Sequence, residues 1–222
     1  MRDSVENPGA RAAVDSRARS FRFVLEYDGG DFEGWQAQAG TREARTIQGE
    51  LEAALASLGI HSLGGTRARV RGAGRTDAGV HALGQVASAR LESRLDAKTL
   101  LRALNARLPR DIAVLAVEQV PEGWDALREA RGKHYRYQIW NGLLRSPLRL
   151  GRWHWVAEPL DLAAMQTAIP SWIGRHDFAA FQGAGSAVKT TVRTLEAIAI
   201  AGASGAEIQL DFRGEGFLRH MV

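Results

Sequence analysis

The sequence contains no cysteine, and this absence removes two classes of structure from consideration. Disulfide frameworks and thiolate metal centres both need cysteine side chains, so neither can stabilise this chain. No apolar run approaches the roughly 20 residues that span a bilayer, and the first nineteen residues lack the apolar stretch of a secretory signal. We therefore expect a cytoplasmic protein without membrane contact, preceded by a disordered tail over residues 1–19.

Lysine is scarce as well, since Lys98, Lys133 and Lys189 are the three lysines of the chain. Lysine and arginine together number 29 against 25 acidic residues, which gives a formal net charge of +4. This small positive charge is compatible with a polyanionic partner such as a nucleic acid, and equally with an ordinary solvated surface. A hydrophobic content of 45% over 222 residues is enough for a sizeable core in one long domain or two small ones.

The hydrophobic pattern of the first half predicts four strands and two helices. Period-2 alternation indicates strands, and apolar residues at helical spacing follow the predicted N-caps Thr46 and Asp96. The predicted strands cover residues 21–27, 66–71, 85–91 and 111–120, and the predicted helices cover residues 47–58 and 97–108. The order β-α-β-β-α-β is that of a ferredoxin-like unit, in which helices cover one face of an antiparallel sheet and leave the other face open.

The second half begins the same pattern and stops before completing it. Strands are predicted at residues 133–140, 191–201 and 207–213, and a helix is predicted at 161–172. We therefore expect an α+β fold of two ferredoxin-like units with antiparallel sheets.

The expected domain boundaries follow from this repeat. The first unit is expected over residues 20–121 and contains a glycine-rich turn. The second is expected over residues 122–222 and is incomplete at its C-terminal end, because residues 217–222 open another amphipathic element that is not continued.

Residues 71–82, RGAGRTDAGVHA, combine three glycines with one carboxylate, Asp77. The segment does not fit a dinucleotide-binding loop, because Asp77 stands where the last glycine would meet a pyrophosphate. It does not fit a P-loop either, because Val80 and His81 replace the Lys and Ser/Thr that contact phosphate and magnesium. A metal site from Asp77 and His81 would need a third ligand such as His176 from elsewhere in the chain, so no metal is predicted here.

Two interpretations of Asp77 remain open from residue spacing. In an extended segment Arg75 and Asp77 point the same way, and the arginine would keep the carboxylate ionised, as a nucleophile or general base requires. Alternatively, the segment is an Asp-Gly type turn between two strands, and Asp77 bonds to its own backbone.

Residues 74–82, GRTDAGVHA, resemble the signature of the tRNA pseudouridine synthase A family. Further segments agree with that family and occur in the same order, so the resemblance extends from residue 21 to residue 222. These segments are residues 27–29 and 34–38, Asn105 with residues 108–109 and 111–114, and residues 135–137, 176–178 with Phe181, and 217–222.

The resemblance implies an isomerase that converts uridine to pseudouridine in the tRNA anticodon arm, at tRNA positions 38 to 40. It implies that Asp77 is the essential catalytic carboxylate in a basic cleft, that Arg75 fills the space left by the extruded uridine, and that Tyr135 stacks on the flipped base. We also expect His81 and Arg71 to bind the substrate. The resemblance implies no cofactor and no metal, and it implies a homodimer that shares the tRNA.

Two departures from the family qualify this prediction. In residues 124–130, WDALREA, Leu127 stands where the family has an arginine. The family also continues past residue 222 with an arginine that pairs with the catalytic aspartate, so we expect a truncated chain with weak or no activity. The main alternative is therefore a noncatalytic RNA-binding fragment, and a metal-dependent hydrolase, which would carry stoichiometric metal, is a third hypothesis.

Overall fold

The computed structural model describes residues 18–36, 44–185 and 188–222, which form two β-sheets with short helices. The predicted tail falls mainly on residues 1–17, outside this described part of the chain. Ala18 and Arg19, which were expected in the tail, are the first two residues of a strand. No helix in the described ranges is both long and apolar enough to cross a membrane.

The first sheet has four antiparallel strands in the order β2-β3-β1-β4. Its elements are β1 (Ala18–Tyr27), α1 (Ile47–Ser57), β2 (Arg71–Gly72), β3 (Ala82–Glu92), α2 (Ala97–Asn105) and β4 (Ile112–Val120). The predicted order of strands and helices is confirmed for this half. Both predicted N-caps are confirmed too, because the side chains of Thr46 and Asp96 accept hydrogen bonds from the backbone N–H groups of Gly49 and Thr99.

The core of this half lies between the sheet and its helices. Alternate residues of β1, including Phe21 and Phe23, are fully buried with Leu51 of α1. The opposite face of the sheet is partly covered by the segment that follows β4. Ala126 of that segment is 2% exposed, and its N–H donates to the Ser88 hydroxyl of β3 at 3.0 Å. The expectation of a fully open face therefore does not hold near Ser88.

One predicted strand, residues 66–71, pairs with β3 only through β2 at its end. The reason lies in α1, whose polar side chains bind the backbone that a neighbouring strand would otherwise pair. Glu52 accepts the N–H of Val70 at 3.0 Å, and Gln48 donates to the carbonyl oxygen of Val70 at 3.0 Å. Ala68 and Val70 of this segment are buried, but the sequence could not show that side chains replace the strand partner.

The second sheet has five strands in the order β6-β5-β9-β8-β7, with β5 and β6 parallel and the other pairs antiparallel. Its elements are β5 (Lys133–Asn141), β6 (His154–Val156), α3 (Leu162–Ala168), β7 (Gly174–Asp177), β8 (Val192–Gly202) and β9 (Glu207–Gly214). The molecule is thus an α+β protein with one antiparallel and one mixed sheet. The edge strands β6 and β7 were not predicted, and α3 ends before Pro170, where a short 3-10 turn follows.

Candidate active site

The glycine-rich loop, residues 71–82, is held in place by the last residue of β1 and by the segment that follows it. The Tyr27 hydroxyl lies 2.9 Å from the Thr76 hydroxyl, and the N–H of Trp35 donates to the Thr76 carbonyl oxygen at 3.0 Å. Gly34 permits this approach, because a Cβ at that position would lie 2.6 Å from the same oxygen. The residue immediately before Asp77 is therefore fixed at both its side chain and its backbone.

A backbone turn follows, in which the N–H of Val80 donates to the carbonyl oxygen of Asp77 at 3.2 Å. Gly79 has a φ of 76°, a conformation that favours glycine, and its N–H donates to the Phe32 carbonyl oxygen at 3.2 Å. The Asp-Gly type turn is thus present in the backbone. The Asp77 carboxylate takes no part in it, since this side chain is 47% exposed and accepts no hydrogen bond from the described residues.

Residues of the second half lie next to the Asp77 carboxylate. Nε2 of His220 is 3.8 Å from Asp77 Oδ2, an ion pair when the imidazole is protonated. Burial raises the pKa of the Tyr135 phenol, and the negative charge of Asp77 raises that pKa further. The Tyr135 ring packs edge-on against Phe217, with 4.9 Å between the ring centroids. The Asp77 carboxylate and the His220 imidazole therefore lie 3.8 Å apart, and the Tyr135 phenol is close enough for the charge of Asp77 to raise its pKa.

The two predicted arginines differ in their surroundings. Arg75 is exposed and forms no ion pair or hydrogen bond within the described part of the chain, so its guanidinium is available to a ligand. Arg71 is paired, because Nη1 lies 3.1 Å from Asp125 Oδ2. Asp125 also accepts the backbone N–H groups of Leu127 and Arg128 at 3.0 Å, so Arg71 anchors the segment in which Leu127 replaces the family's arginine.

His81 connects the loop to the second half of the molecule. The N–H of Gly29 donates to its Nδ1 at 3.1 Å, and its Nε2 lies 3.1 Å from the carbonyl oxygen of Gly151. Asp28 Oδ1 is 2.9 Å from the same Nδ1, and Asp28 Oδ2 accepts from Arg152 at 2.7 Å. Both ring nitrogens are therefore engaged within the protein, and across the described ranges no group of three or more His, Asp or Glu side chains is arranged to hold a metal ion.

Three residues of this site were not predicted from the sequence, namely His220, Phe217 and Lys133. His220 and Phe217 belong to residues 217–222, a segment that supported the family resemblance. Their place in that segment was the one sequence signal that could have identified them. Lys133 precedes Tyr135 by two residues on β5, and the period of a strand puts both side chains on one face. That face is turned toward the glycine-rich loop, where Gly74 lies against the Lys133 side chain.

Most of this chain matches one protein family. Residues 24–127 and 168–222 match the family described as tRNA pseudouridine synthase, and the matched ranges contain Asp77, Phe217 and His220. The chain is 41% identical over 205 residues to the tRNA pseudouridine synthase A of Geotalea uraniireducens, an alignment that covers 92% of this chain and 80% of that protein.

Two further relatives carry the same name. The protein of Pelobacter propionicus is 43% identical, with the same coverage of both chains. The protein of Myxococcus xanthus is 43% identical over 202 residues, which cover 90% of this chain and 73% of that relative. The family match extends over most of the chain and the relatives exceed 40% identity, and this protein therefore belongs to the tRNA pseudouridine synthase family.

Proposed function

We propose that this chain isomerises uridine to pseudouridine in the anticodon arm of tRNA, at tRNA positions 38 to 40, with Asp77 as the catalytic carboxylate. Family membership supports tRNA pseudouridylation as the general activity. The observation that carries the assignment to Asp77 is its side chain, which is 47% exposed and accepts no hydrogen bond from the described residues, on a loop whose backbone is held on both sides. A carboxylate in a fixed position, with the His220 imidazole 3.8 Å away and no bond to its own turn, fits chemistry better than it fits a structural turn.

The reaction breaks the bond between N1 of uracil and C1′ of the ribose, turns the base, and forms a bond between C5 and C1′. C5 loses its hydrogen as a proton and N1 gains one, so the reaction requires no oxidant and no reductant. Three roles for Asp77 are compatible with this balance: addition to C1′, addition to C6 of the ring, or removal of a ribose proton. All three require the ionised carboxylate.

A uridine inside a stacked arm has to be extruded before its reactive atoms are accessible. We assign Arg75 to the space that the base leaves, because its guanidinium is exposed and has no partner within the described residues. We assign Tyr135 to stacking on the extruded base, since aromatic rings recognise unpaired bases in this way. His81 and Arg71 would act on substrate binding by positioning the loop and the segment around Asp125.

The proposal also includes the domain architecture, the oligomeric state and the cellular location of the enzyme. The strand order β2-β3-β1-β4 supports a ferredoxin-like first unit over residues 20–121, and residues 122–222 would form the second unit across a basic cleft. The family resemblance implies a homodimer that shares one tRNA, without metal or cofactor. A cytoplasmic location is the expectation from the sequence composition.

Incubation of the purified chain with unmodified tRNA tests the activity. With tritium at C5 of uridine, turnover releases tritium to water, and nucleoside analysis then detects pseudouridine at the three anticodon-arm positions. Release with wild type and none with Asp77→Asn would support the proposal. Binding of tRNA without release would favour the noncatalytic RNA-binding alternative, and release that depends on added metal would favour a metal-dependent hydrolase.

A further inference from the structure

Lys133 is a half-buried cation that lies against the glycine-rich loop. Its Cε would be 2.7 Å from a Cβ at Gly74, and its Nζ 3.3 Å. Gly74 therefore leaves the space that the lysine side chain occupies. On β5, Lys133 and Tyr135 share a face and are separated by about 7 Å along the strand. The lysine side chain is therefore a direct neighbour of the proposed base-stacking ring on that face.

This cation has no anionic partner. Within the described part of the chain, Lys133 forms no ion pair and no hydrogen bond with its ammonium group. Burial lowers the pKa of Lys133, and the positive charge of Arg193 lowers it further. Buried charges in proteins are normally paired, because an unpaired one has lost solvation without compensation. The free protein therefore holds a charge that an external anion would stabilise.

Arg193 supplies a second cation nearby. Gly214 of β9 pairs with Lys133 of β5 on one side and with Leu195 of β8 on the other, and Arg193 precedes Leu195 by two residues, so its side chain lies on the same face of the sheet as that of Lys133. Nη1 of Arg193 donates to the carbonyl oxygens of Thr190 and Val192 at 2.9 and 2.7 Å, which fixes the guanidinium. Nε and Nη2 have no partner among the described residues, and no carboxylate lies within 4.0 Å of the group. Two neighbouring cations without a carboxylate form a site for an anion, and a fixed guanidinium with free N–H donors suits phosphate oxygens.

We propose that Lys133 and Arg193 form a subsite for one backbone phosphate of the RNA, beside the nucleotide on which Asp77 acts. This inference rests on the proposed function, because that function brings a polyanion to the glycine-rich loop. The phosphate would compensate both charges and would draw the flanking nucleotide toward Gly74. Since the loop carries Asp77 three residues after Gly74, the contact would also set the position of the target nucleotide.

The first test is the salt dependence of tRNA affinity for Lys133→Gln and Arg193→Gln. Lys98→Gln is the matched control, because Lys98 is an exposed lysine on helix α2, which belongs to the first half of the molecule. Loss of one phosphate contact should lower the slope of log K against log salt by about 0.7 to 0.9. We expect this reduction, with an affinity loss of about tenfold in moderate salt, for Lys133→Gln and Arg193→Gln but not for Lys98→Gln. Arg193→Lys, which keeps the charge, should retain the slope. A Lys133→Gln slope equal to that of Lys98→Gln would overturn the subsite.

A second test reads the site without catalysis. With three lysines in the chain, ¹³C-lysine labelling gives three sets of side-chain signals, and Lys133→Gln identifies the signal of Lys133. Unmodified tRNA should shift the Lys133 signal and leave that of Lys98 in place. Inorganic phosphate at the same phosphate concentration should shift neither, and an equal response to both ligands would overturn an RNA subsite.

The two tests also separate this inference from the proposed function. Pseudouridine formation by wild type with an unmoved Lys133 signal would refute the subsite alone. A shifted Lys133 signal with tRNA but no pseudouridine would support the subsite and contradict the activity. Absence of any tRNA binding by the wild-type chain would overturn both.

Discussion

The charge of Asp77 can be removed without disturbing the loop, because the hydrogen bonds that hold the loop come from Thr76, Gly79 and the Asp77 backbone. Asp77→Asn keeps the size of the side chain and the turn. We expect kcat to fall by about a thousandfold or more, with tRNA affinity and melting temperature close to those of wild type. The measurement is tritium release together with thermal unfolding. Glu196→Gln, which neutralises an exposed carboxylate on β8, is the control and should retain full turnover.

A different result for Asp77→Asn would change the assignment. A folded variant with measurable turnover would remove Asp77 from the chemistry. A large loss of melting temperature with little loss of specific activity would indicate that Asp77 serves the turn.

Tyr135 keeps its proton at alkaline pH, since burial and the charge of Asp77 both raise its pKa. Between the ordinary tyrosine pKa of about 10 and the raised value, the unfolded chain has lost this proton while the folded chain retains it. The free energy of unfolding should therefore fall as the pH rises above about 10. We expect Tyr135→Phe to show a smaller fall than wild type in denaturant unfolding at about pH 9 and about pH 11. A residual fall should remain from Tyr27, whose pKa burial also raises.

The same variant tests the role of the hydroxyl. Phe keeps the ring contact with Phe217 and the stacking surface, so KM should change little while kcat falls. Tyr135→Leu removes the ring as well and should raise KM, since stacking on one base contributes about 1–3 kcal/mol. Equal KM values for the two variants would argue against base stacking at Tyr135.

The resemblance to a known family predicted roles for Asp77 and Tyr135, while the neighbours of these residues depend on the tertiary fold. The contact between His220 and Asp77 requires residues 218–221 to turn, with His220 at a φ of 60° that favours glycine. No local sequence pattern predicts a turn with a positive φ at a histidine. The contact of Lys133 with Gly74 likewise joins a strand of the second sheet to the glycine-rich loop of the first half, which spacing along the chain does not reveal.

At the scale of elements, one buried side-chain amide connects β5 to the edge strand β6 and to the turn before β9. Asn141 at the end of β5 is 1% exposed. Its Nδ2 donates to the carbonyl oxygens of Val156 and Glu158 at 3.0 and 2.7 Å, and its Oδ1 accepts the N–H of Gly205 at 3.1 Å. Truncation of this side chain would leave several buried polar groups without partners.

We therefore expect Asn141→Ala to lower the free energy of unfolding by about 3 kcal/mol. Asn105→Ala is the comparison, because Asn105 also bonds twice to a strand backbone, at Val114, but lies at an exposed position where water can replace it. Its cost should be about 1 kcal/mol. Urea unfolding measures both, and a smaller effect at Asn141 than at Asn105 would contradict the role of burial.

Periodicity identified the long elements and missed the short ones for a physical reason. A long strand such as β1 presents enough alternate buried residues to show which of its faces packs on the core. Strands β6 and β7 have three and four residues and lie at the sheet edges, so their sequences carry little alternation. The positions of β6 and β7 are determined by pairing with β5 and β8, and this pairing is known only from the tertiary fold.

At the scale of the whole molecule, the affinity for tRNA should depend on which cations are free rather than on the net charge of +4. Arg75 has no partner in the described chain, whereas Arg136 donates to both carboxylate oxygens of Asp211 at 3.0 and 3.2 Å. We expect Arg75→Gln to lower the slope of log K against log salt by about 0.7 to 0.9, between about 50 and 200 mM salt, and Arg136→Gln to lower it by less. Filter binding with tRNA measures the slopes. A wild-type affinity independent of salt, or equal for duplex DNA, would contradict recognition of a tRNA arm.

The two halves of the molecule must keep a fixed position relative to each other for the site to form, because Asp77 comes from the first half and Tyr135 and His220 come from the second. Asp28 connects the halves near the loop, with Oδ2 accepting from Arg152 at 2.7 Å and Oδ1 2.9 Å from His81 Nδ1. The hydrogen bond from Arg152 and then the backbone N–H of Gly30 lower the pKa of Asp28. Because the pKa of this carboxyl is lower in the folded chain, its stabilising contribution is present above the ordinary aspartate pKa and is lost only as the pH falls through the lowered value.

Arg152→Ala tests whether this exposed pair serves alignment more than stability. An exposed ion pair contributes at most about 1 kcal/mol, so the melting temperature should change by only a few degrees. A small shift of Asp77 relative to Tyr135 should nevertheless lower kcat/KM by about tenfold or more, since catalysis is sensitive to misplacement of about 1 Å. Arg22→Ala is the matched control, because Arg22 forms an exposed pair with Glu118 at 2.8 Å within the first sheet. It should cause a similar small change in stability and leave kcat/KM unaltered. If both variants keep wild-type kcat/KM under conditions where Asp77→Asn is inactive, the connection through Asp28 does not align the site.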